Sequence, residues 1–504
     1  MKKLTVFGFA IAAVCLAFAG EWTFTNGELT KDGWVLKAED FNTNEKRITV
    51  TGYSSGGGSL DLSAPIVNGV ELEGVRFWNQ VFTTAPITDF SCDRIQQTAN
   101  DFLLYALFCG NTTLKTLRLG GSGVHAIWDD FARGCTSLER VSFDMPNLKR
   151  FRGNAFNGCS ALVQFDCNSG LLEEIGDSAF AECANLSQNV GILCPPSVKK
   201  IGRHAFEHCK LLNGKLELSG VEYMGRAAFA GTGIQAVNLS GPIEDVNWSR
   251  GASDEDWRGY MFNECASLTN VVFSLPNLRR VAPFDFAHDS VLSQNVSSIV
   301  SPEMTSIGSG AFEGCSSLTG KLVLTNLTYL GGAAFAWTKI LDLDLRGPVT
   351  DAGWDNFSYD DGVRFKEVDT ITNAVFDLPN LSSLSSGDFL NCRQLKSVYF
   401  LRKPFNAESM RYLLNGKRSP RDCTIYVSSV QWPVAEWSAG GWRALTEEEK
   451  NDAAKPPRCF GMCDVGDPSI EEGDGNSRWT QQRLAWFARW KSPCDPKRFL
   501  VTIR

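Results

Sequence analysis

Histidine, long apolar runs and basic blocks are all scarce in this chain of 504 residues. With only 4 His, the sequence has little material for imidazole catalysis or for His-rich metal sites. After residue 20 no apolar run reaches the roughly 20 residues that a membrane-spanning helix needs, so no transmembrane span is expected. The formal net charge is −8. Nucleic-acid binding depends on Lys and Arg neutralising phosphates, so no nucleic-acid partner is predicted.

Motifs for catalysis and cofactors are scarce as well. The sequence contains no phosphate-binding loop and no dinucleotide-binding G-x-G-x-x-G after a predicted strand. Acidic residues cluster at Asp129-Asp130, Asp254-Glu-Asp256 and Asp360-Asp361, and paired carboxylates can cleave glycosidic bonds. Because charged loops are usually solvated, these acids predict no catalytic residue. We expect no cofactor and no metal site, and glycan hydrolysis by loop carboxylates stays the alternative.

The N-terminus has the pattern of an export signal. Lys2 and Lys3 precede an apolar stretch from Leu4 to Phe18, and Ala17-Phe18-Ala19 is a small-residue cleavage motif. Residues 1–19 are therefore predicted to be a signal peptide. The mature chain is expected to be secreted or held at the cell surface.

A string of the form F-x-x-C-x-x-L recurs at intervals of about 24 residues. Each copy is followed by two short apolar runs with a Pro, Asn or Gly break between them, which predicts two short strands per unit. A unit this short cannot close its own core, so it must stack on its neighbours as a solenoid. Phe131 with Cys135 is the same unit with one inserted residue, and five degenerate copies bring the Phe anchors to twelve. The full copies contain Phe156 and Cys159, Phe180 and Cys183, Phe206 and Cys209, Phe262 and Cys265, Phe312 and Cys315, and Phe389 and Cys392.

The pattern A-F-x-x-C-x-x-L-x-x-V-x-x-P-x-x-L-x-x-I-G, repeated in register, resembles the BspA-like class of bacterial leucine-rich repeats. The resemblance covers about residues 108–400, and Cys423-Thr-Ile-Tyr-Val427 resembles the closing strand of such arrays. It implies a strand-rich repeat solenoid, in which a curved leucine-rich-repeat array carries a β-rich N-terminal cap and a C-terminal tail. It also implies an exported or surface protein of the adhesin or protein-binding type.

A longer period shows that a block of 106 residues was duplicated. Ser187-Gln-Asn-Val190 recurs as Ser293-Gln-Asn-Val296, and Leu212-Asn-Gly-Lys-Leu216 recurs as Leu318-Thr-Gly-Lys-Leu322. Duplication accounts for the length of the chain without several different domains. The predicted organisation is a signal peptide (1–19), a β-rich cap (20–107), a solenoid of about 12 units (108–430) and a tail (431–504).

The two ends of this organisation leave alternatives open. The cap is expected to cover the first repeat, since an open solenoid end exposes core; the alternative is a small separate domain. The tail begins with an acidic, Gly- and Pro-rich linker. Residues 478–490 then predict a short basic-aromatic amphipathic helix, which either packs against the end of the array or binds a partner or a membrane surface.

The 16 cysteines first suggest a disulfide framework in an exported chain. Seven of them share one repeat position, however, and the resemblance implies that this position points inward and caps backbone groups, as Asn111 also can. We expect these seven thiols to be buried and unpaired. In the tail, Cys494 has two candidate disulfide partners, Cys459 and Cys463, and the sequence favours neither.

Two units are longer than the rest, and each inserts aromatic and acidic residues before the next Phe anchor. Because the repeats stack in register, the insertions are expected at one edge of the solenoid, where exposed Trp and Tyr favour a protein or carbohydrate contact. The alternative is that the Trp side chains fill a widened core. The candidate ligand-binding residues are Trp128, Trp248, Trp257, Tyr260, Trp354 and Tyr359.

These observations predict an exported, non-catalytic protein that binds a protein or glycan ligand at the cell surface. Two other classes stay open, a glycan-acting enzyme and a structural component of the envelope. Hydrolytic activity that is lost in an Asp254→Asn/Asp256→Asn variant would indicate the enzyme. Self-assembly of the purified chain into arrays would indicate the structural role.

Overall fold

The computed structural model describes residues 21–63, 65–96, 104–248, 259–354, 363–385 and 387–401, and the backbone of 249–250, 424–427, 435–438 and 441–444. The predicted signal peptide, the tail cysteines, the tail helix, Trp257 and Tyr359 lie outside these residues. By its internal contacts the chain forms two compact units. The first comprises residues 1–243, 247–250 and 274–276, and the second residues 244–246, 251–273 and 277–504.

The first unit begins with an antiparallel sheet whose tight turns follow from the sequence. Asn26 and Gly27 have φ of 53° and 80°, and Asp32 and Gly33 have 48° and 84°, the backbone of type I′ hairpins. The fourth strand then pairs in parallel with the eighth, β1-β2-β3-β4-β8 being the sheet order. The strands are β1 (Thr23–Thr25), β2 (Glu28–Lys31), β3 (Trp34–Asn42), β4 (Arg47–Ser55), β5 (Gly58–Asp61), β6 (Ile66–Val67), β7 (Val70–Glu71) and β8 (Gly74–Phe77).

After this region the strands pair in parallel. Each turn contributes one longer and one shorter strand, and strands of the same kind from successive turns lie side by side. The strands are β9 (Ile87–Cys92), β10 (Thr116–Gly120), β11 (Ala126–Ile127), β12 (Arg140–Asp144), β13 (Arg150–Phe151), β14 (Gln164–Cys167), β15 (Glu174–Ile175), β16 (Lys200–Ile201), β17 (Lys215–Ser219), β18 (Tyr223–Gly225), β19 (Ala236–Ser240) and β20 (Trp248–Arg250). Of the longer strands, β5, β9, β10, β12 and β14 form one sheet in that order, and β17 pairs with β19 in parallel. The shorter strands form the sheet β11-β13-β15-β16-β18-β20. Since β5 and β9 belong to the first of these sheets, the stacked turns begin within the segment predicted as a cap.

The second unit repeats the same arrangement. One sheet has the order β22-β23-β25, another β24-β26-β27-β28-β29, and β30 and β31 form an antiparallel hairpin. The strands are β21 (Asn270–Ser274), β22 (Arg280–Val281), β23 (Ser306–Ile307), β24 (Thr319–Leu324), β25 (Tyr329–Leu330), β26 (Lys339–Arg346), β27 (Asn373–Asp377), β28 (Ser397–Phe400), β29 (Thr424–Val427), β30 (Ala435–Ser438) and β31 (Gly441–Ala444). The prediction of a strand-rich repeat solenoid is confirmed.

Helix is a minor component of the described residues. It consists of one α-helix, α1 (Val190–Leu193), and three 3-10 turns at Asp245–Asn247, Val296–Ser298 and Ala352–Trp354. None of the helices among the described residues has the length and apolar character needed to cross a bilayer.

The anchor phenylalanines stack ring on ring inside each unit. The centroids of Phe180 and Phe206 are 5.4 Å apart with 1° between the ring planes, and those of Phe286 and Phe312 are 5.2 Å apart, also with 1°. Neighbouring strands of a sheet lie about 4.8 Å apart, so identical residues at one repeat position come into ring contact. The repeat positions that are buried include Phe131, Phe156, Phe180, Phe206, Phe262, Phe312, Phe389, Cys159, Cys183, Cys209, Cys265, Cys315 and Cys392.

The cysteines of the repeat position are buried, free thiols. Six of them donate a hydrogen bond from Sγ to a main-chain carbonyl: Cys135, Cys159, Cys183, Cys209, Cys315 and Cys392. Cys135 Sγ donates to the carbonyl oxygen of Phe108 at 3.1 Å. Burial raises the pKa of the Cys135 thiol to about 12, so the sulfur keeps the proton that it donates. Asn111 serves in the same way, since its Nδ2 donates to the carbonyl of Phe82 at 2.7 Å.

The turn at Phe131 contains no inserted residue, unlike the expectation from the sequence pattern. Cys159 Sγ donates to the carbonyl of Ala132 at 3.2 Å. In other turns the cysteine of the repeat position donates to the carbonyl of the anchor Phe one turn earlier, as Cys183 does to Phe156. Ala132 thus holds the anchor position, and Cys135 and Cys159 are a regular 24 residues apart. Phe131 sits one residue earlier, but its ring still reaches the column, with its centroid 5.8 Å from that of Phe156.

In each copy of the duplicated block, a glutamine side chain makes the two main-chain hydrogen bonds that a neighbouring strand would otherwise provide. Gln188 precedes helix α1; its Oε1 accepts from the N–H of Phe165 at 2.7 Å, and its Nε2 donates to the Phe165 carbonyl at 3.0 Å. Gln294 makes the same two bonds to Val271, at 2.6 and 2.9 Å. The amide group satisfies main-chain groups at a strand edge where the sheet is interrupted, which gives the duplicated Ser-Gln-Asn-Val motif its structural role.

Candidate functional site

In ten of the described turns the residue two positions before the anchor, which we call the pre-anchor residue, lies in the left-handed region of the backbone. This conformation is costly for a residue with a bulky side chain, by about 1–2 kcal/mol, and is easier for Gly and short polar residues. Ten described turns have φ between 49° and 61° here, at Ala106, Asp130, Asn154, Ser178, His204, Ala227, Tyr260, Phe284, Gly310 and Ala333. Tyr260 and Phe284 stand out because they are the aromatic members of this set.

Tyr260 and Phe284, which we call the aromatic pair, lie on consecutive turns of the second unit. Their ring centroids are 5.1 Å apart with 9° between the planes, and both side chains are only partly buried. Phe284 covers the next turn at Gly310, where an added Cβ would collide with the Phe284 ring. The pair is therefore a stacked aromatic ridge that depends on a glycine beside it.

The backbone that carries the aromatic pair is held by a buried carboxylate. Asp285 is fully buried, its Oδ1 accepts from the N–H of Met261 at 3.2 Å, and its Oδ2 accepts from the N–H of Ala282 at 2.9 Å. These bonds tie the residue after Tyr260 to the segment that leads into Phe284. The two rings are thus presented from a rigid base.

Trp128 is the other predicted ligand-binding residue whose side chain reaches the surface. It is partly buried, and the guanidinium carbon of Arg152 lies 5.1 Å from its ring centroid, a cation–π contact. Trp128 belongs to the first unit and Tyr260 to the second.

Trp248 and Trp354 are core side chains. Their exposed fractions are 0% and 3%, so neither indole is available to a ligand on the surface. For Trp248 and Trp354, the alternative prediction, that the Trp side chains fill a widened core, agrees with the structure. Trp257 and Tyr359, the remaining candidates, lie outside the described residues.

A buried ion pair closes the base of the second long unit. Arg364 and Asp388 have side chains that are 0% and 1% exposed, with Nη1 and Oδ1 2.8 Å apart. Trp354 Nε1 donates to Asp388 Oδ2 at 2.9 Å, and the Arg364 guanidinium lies 4.8 Å from the Trp354 ring. Arg364 Nε also donates to the carbonyl of Leu330 at 2.9 Å. These bonds offset the desolvation of both charges and join the two ends of the insertion to the array.

Two of the described histidines, His204 and His208, pair with carboxylates. His204 Nδ1 lies 2.9 Å from Glu207 Oε2, and His208 Nδ1 lies 2.7 Å from Glu182 Oε1. Each imidazole thus points at a different carboxylate. In the described part of the chain, no three or more His, Cys, Asp or Glu side chains are grouped so that they could hold a metal ion.

Phe284, Arg364 and Asp388 were not predicted from the sequence, although the repeat pattern carries a signal for them. The residue directly before the anchor is Ala in six turns and departs from Ala around the two long units. The departures there are Met261, Asp285, Arg364 and Asp388, and the first two turns depart as well, with Leu107 and Phe131. An aligned set of repeats would have marked these positions, and the aromatic residue at 284, as exceptions to the pattern.

A parallel solenoid with stacked Phe and inward Cys columns defines a leucine-rich-repeat protein. Residues 125–249 and 256–364 match, in six copies, the family described as BspA type leucine rich repeat region. These two segments belong to that family, which confirms the resemblance found in the Phe-x-x-Cys-x-x-Leu pattern. No curated protein matches this chain in sequence.

Several solved structures of bacterial leucine-rich-repeat proteins are similar to this chain. A leucine rich cell surface protein from Faecalibacterium prausnitzii shares 16% identity over 80% of this chain and 96% of its own, with a TM-score of 0.38. A leucine-rich repeat protein from Bacteroides ovatus shares 15% over 79% and 99%, with a TM-score of 0.35. The pneumococcal vaccine antigen PcpA shares 18% over 80% and 94%, with a TM-score of 0.37.

Proposed function

We propose that the chain is an exported protein without catalytic activity that binds a protein or glycan ligand at the cell surface. The observation that carries this proposal is the aromatic pair, two partly exposed rings held on a rigid edge at backbone positions that disfavour them. The family of residues 125–249 and 256–364 supports it, because stacked repeats of this kind present extended binding surfaces. The predicted signal peptide, residues 1–19, supports export.

Trp257 and Tyr359, in the two insertions, remain part of the proposed ligand surface. A Trp257→Ala/Tyr359→Ala variant of the mature chain is expected to capture less ligand from envelope or host extracts, as measured by quantitative mass spectrometry. If both side chains belong to the proposed ligand surface, the melting temperature of the variant should equal that of the wild type.

An Asp254→Asn/Asp256→Asn variant provides the matched control in the first insertion. It should capture as much ligand as the wild type if these carboxylates are merely solvated. Hydrolysis of a glycan by the wild type that disappears in this control would replace the binding function by an enzymatic one.

A further inference from the structure

We infer that Asp289 is a pH-sensitive link between two turns of the second unit: as a neutral carboxylic acid it joins the turns of Phe262 and Phe286, and as a carboxylate it does not. This role is independent of the proposed binding function. It follows from the hydrogen bonds of the cysteine column, by which we mean the residues three positions after the anchors. Asp289 stands in this column, where seven other turns have a thiol.

A thiol of the cysteine column makes two main-chain hydrogen bonds to the turn before it. Cys315 Sγ donates to the carbonyl oxygen of Phe286 at 2.9 Å and accepts from the N–H of Asp289. Cys392 makes the same pair of bonds to the turn of Phe365, whose carbonyl oxygen lies 3.0 Å from the sulfur. A side chain that completes this pattern therefore has to donate and accept at once, as a thiol that keeps its proton does.

Asp289 makes only the accepting bond of this pattern as long as it is a carboxylate. Its Oδ1 accepts from the N–H of Cys265 at 2.7 Å. Its Oδ2 has no hydrogen-bond partner among the described residues, although the side chain is fully buried. A carboxylate has no proton to donate, and a buried polar oxygen without a partner destabilises the fold. A protonated carboxyl completes the pattern, with the O–H on Oδ2 and the carbonyl oxygen of Phe262 as its acceptor.

The surroundings of Asp289 favour the neutral acid. Burial raises the pKa of its carboxyl well above the usual value, and the negative charge of Glu264 on the turn before acts in the same direction, against the N–H of Cys265. Burial also raises the pKa of the Cys315 thiol on the turn after, so no charge comes from that side. His288, the preceding residue, is exposed, and no lysine or arginine in the described part of the chain forms an ion pair with Asp289.

Opening of the link is coupled to the loss of a proton. Once exposed to water, the carboxyl titrates near its ordinary pKa of about 4, which lies below its pKa in the folded protein. The link is therefore at full strength below pH ~4, and the open fraction rises by up to roughly tenfold per pH unit until the folded-state pKa is reached. Cys392, at the equivalent place in a later turn, exchanges no proton at neutral pH, because burial raises its pKa.

The test compares the mature wild-type chain with an Asp289→Asn variant. The Asn side chain is neutral at every pH, and it donates and accepts as the protonated carboxyl does. Amide hydrogen exchange is followed by mass spectrometry at a series of pH values, in peptides that cover residues 259–268 and 283–292. Because both chains are measured at the same pH, the intrinsic pH dependence of exchange cancels. The rate in the wild type divided by the rate in the variant should rise by up to roughly tenfold per unit between pH ~5 and pH ~7.

A second measurement detects the proton itself. The infrared difference spectrum, wild type minus Asp289→Asn, should contain the C=O band of a protonated carboxylic acid at neutral pH. The matched control, Cys392→Asn, changes a thiol of the same column. Its exchange rates relative to the wild type should not vary with pH.

A rate ratio for Asp289→Asn that is independent of pH would overturn the inference, whether or not the infrared band is present. Absence of the band at neutral pH would overturn it as well, since Asp289 would then be ionised in the folded protein, and so would a pH-dependent ratio in the Cys392→Asn control. If Asp289→Asn does not fold, Asp289→Cys, which restores the thiol of the column, takes its place with the same outcomes. These measurements involve no ligand, so their failure leaves the proposed binding function untouched.

Discussion

The two copies of the duplicated block keep a residue that completes the main-chain hydrogen bonds of the sheet and differ at a residue of the buried cysteine column. Gln188 and Gln294 each make the same pair of hydrogen bonds to a neighbouring strand. Cys183 of the first copy, by contrast, is Asp289 in the second, although both side chains are fully buried. The interruption of the sheet therefore requires a glutamine side chain in both copies. The buried cysteine position requires mainly a side chain of limited size, since Asp can replace Cys there.

The ends of the two long units show a similar contrast. Met261 stands directly before the anchor that closes the first long unit, and Arg364 holds the same place in the second. Both are fully buried. A buried charge has to be neutralised by its surroundings, so the second long unit depends on a polar network where the first has an apolar side chain.

The largest expected effect comes from breaking that network. An Arg364→Ala variant leaves the buried Asp388 carboxylate without its cation, and removal of one partner from a buried pair costs about 3–5 kcal/mol. The free energy of unfolding, measured with urea, should fall by this amount. The double variant Arg364→Ala/Asp388→Ala should be more stable than the single variant. It has Ala directly before both anchors, as six other turns do. A double variant less stable than the single one would contradict this account.

An intermediate effect is expected from restoring the column in the second copy. Burial raises the pKa of the Asp289 carboxyl well above its usual value, and its Oδ2 has no hydrogen-bond partner among the described residues. In the unfolded chain the group titrates near its ordinary pKa of about 4. Its contribution to stability is therefore fully present below pH ~4 and declines as the pH rises toward the folded-state pKa.

The substitution Asp289→Cys should accordingly stabilise the protein by roughly 1–3 kcal/mol near pH 7 and by less at pH 4, as measured by urea unfolding at the two pH values. The reverse change in the first copy, Cys183→Asp, should lose stability with the same dependence on pH. A gain from Asp289→Cys that does not vary between pH 4 and pH 7 would show that size, and not ionisation, distinguishes the two columns.

The smallest effect tests the part that the copies share. Gln188→Ala and Gln294→Ala each remove two hydrogen bonds to one strand residue, and each should cost about 1 kcal/mol. Amide hydrogen exchange should accelerate at Phe165 in the first variant and at Val271 in the second. Unequal losses would mean that the two interruptions of the sheet are not equivalent.

Gln188→Glu should cost more than Gln188→Ala, because a carboxylate cannot donate to the Phe165 carbonyl.

Much of the fold could be predicted from the sequence, because the repeat brings the same residue to the same place in every turn. The burial of Phe156, Cys159 and their equivalents follows from that regularity. Prediction was less successful where a residue departs from the pattern. Phe131 was aligned with the anchors, but the backbone places Ala132 there, since a neighbouring ring can reach the same column from an adjacent position.

In the candidate site, too, the sequence predicted some features correctly and missed others. Spacing marked Trp248, Trp354 and Tyr260 alike, as aromatic residues of the two long units. The structure buries both Trp side chains and leaves Tyr260 partly exposed, stacked on a Phe284 that the spacing did not single out. Aromatic composition at a repeat edge therefore predicts that an unusual surface exists, but not which rings form it.

The sequence by itself determined the period of the array, the identity of its inward columns and the duplication, because in a solenoid these depend only on the residue at each place in the repeat. The tertiary structure alone decided which aromatic side chains face solvent and which charges are buried. The placement of the Phe284 ring depends on the positive φ of that residue and on the room that Gly310 leaves in the next turn, and the burial of Arg364 depends on its pairing with Asp388. None of these is a property of spacing along the chain.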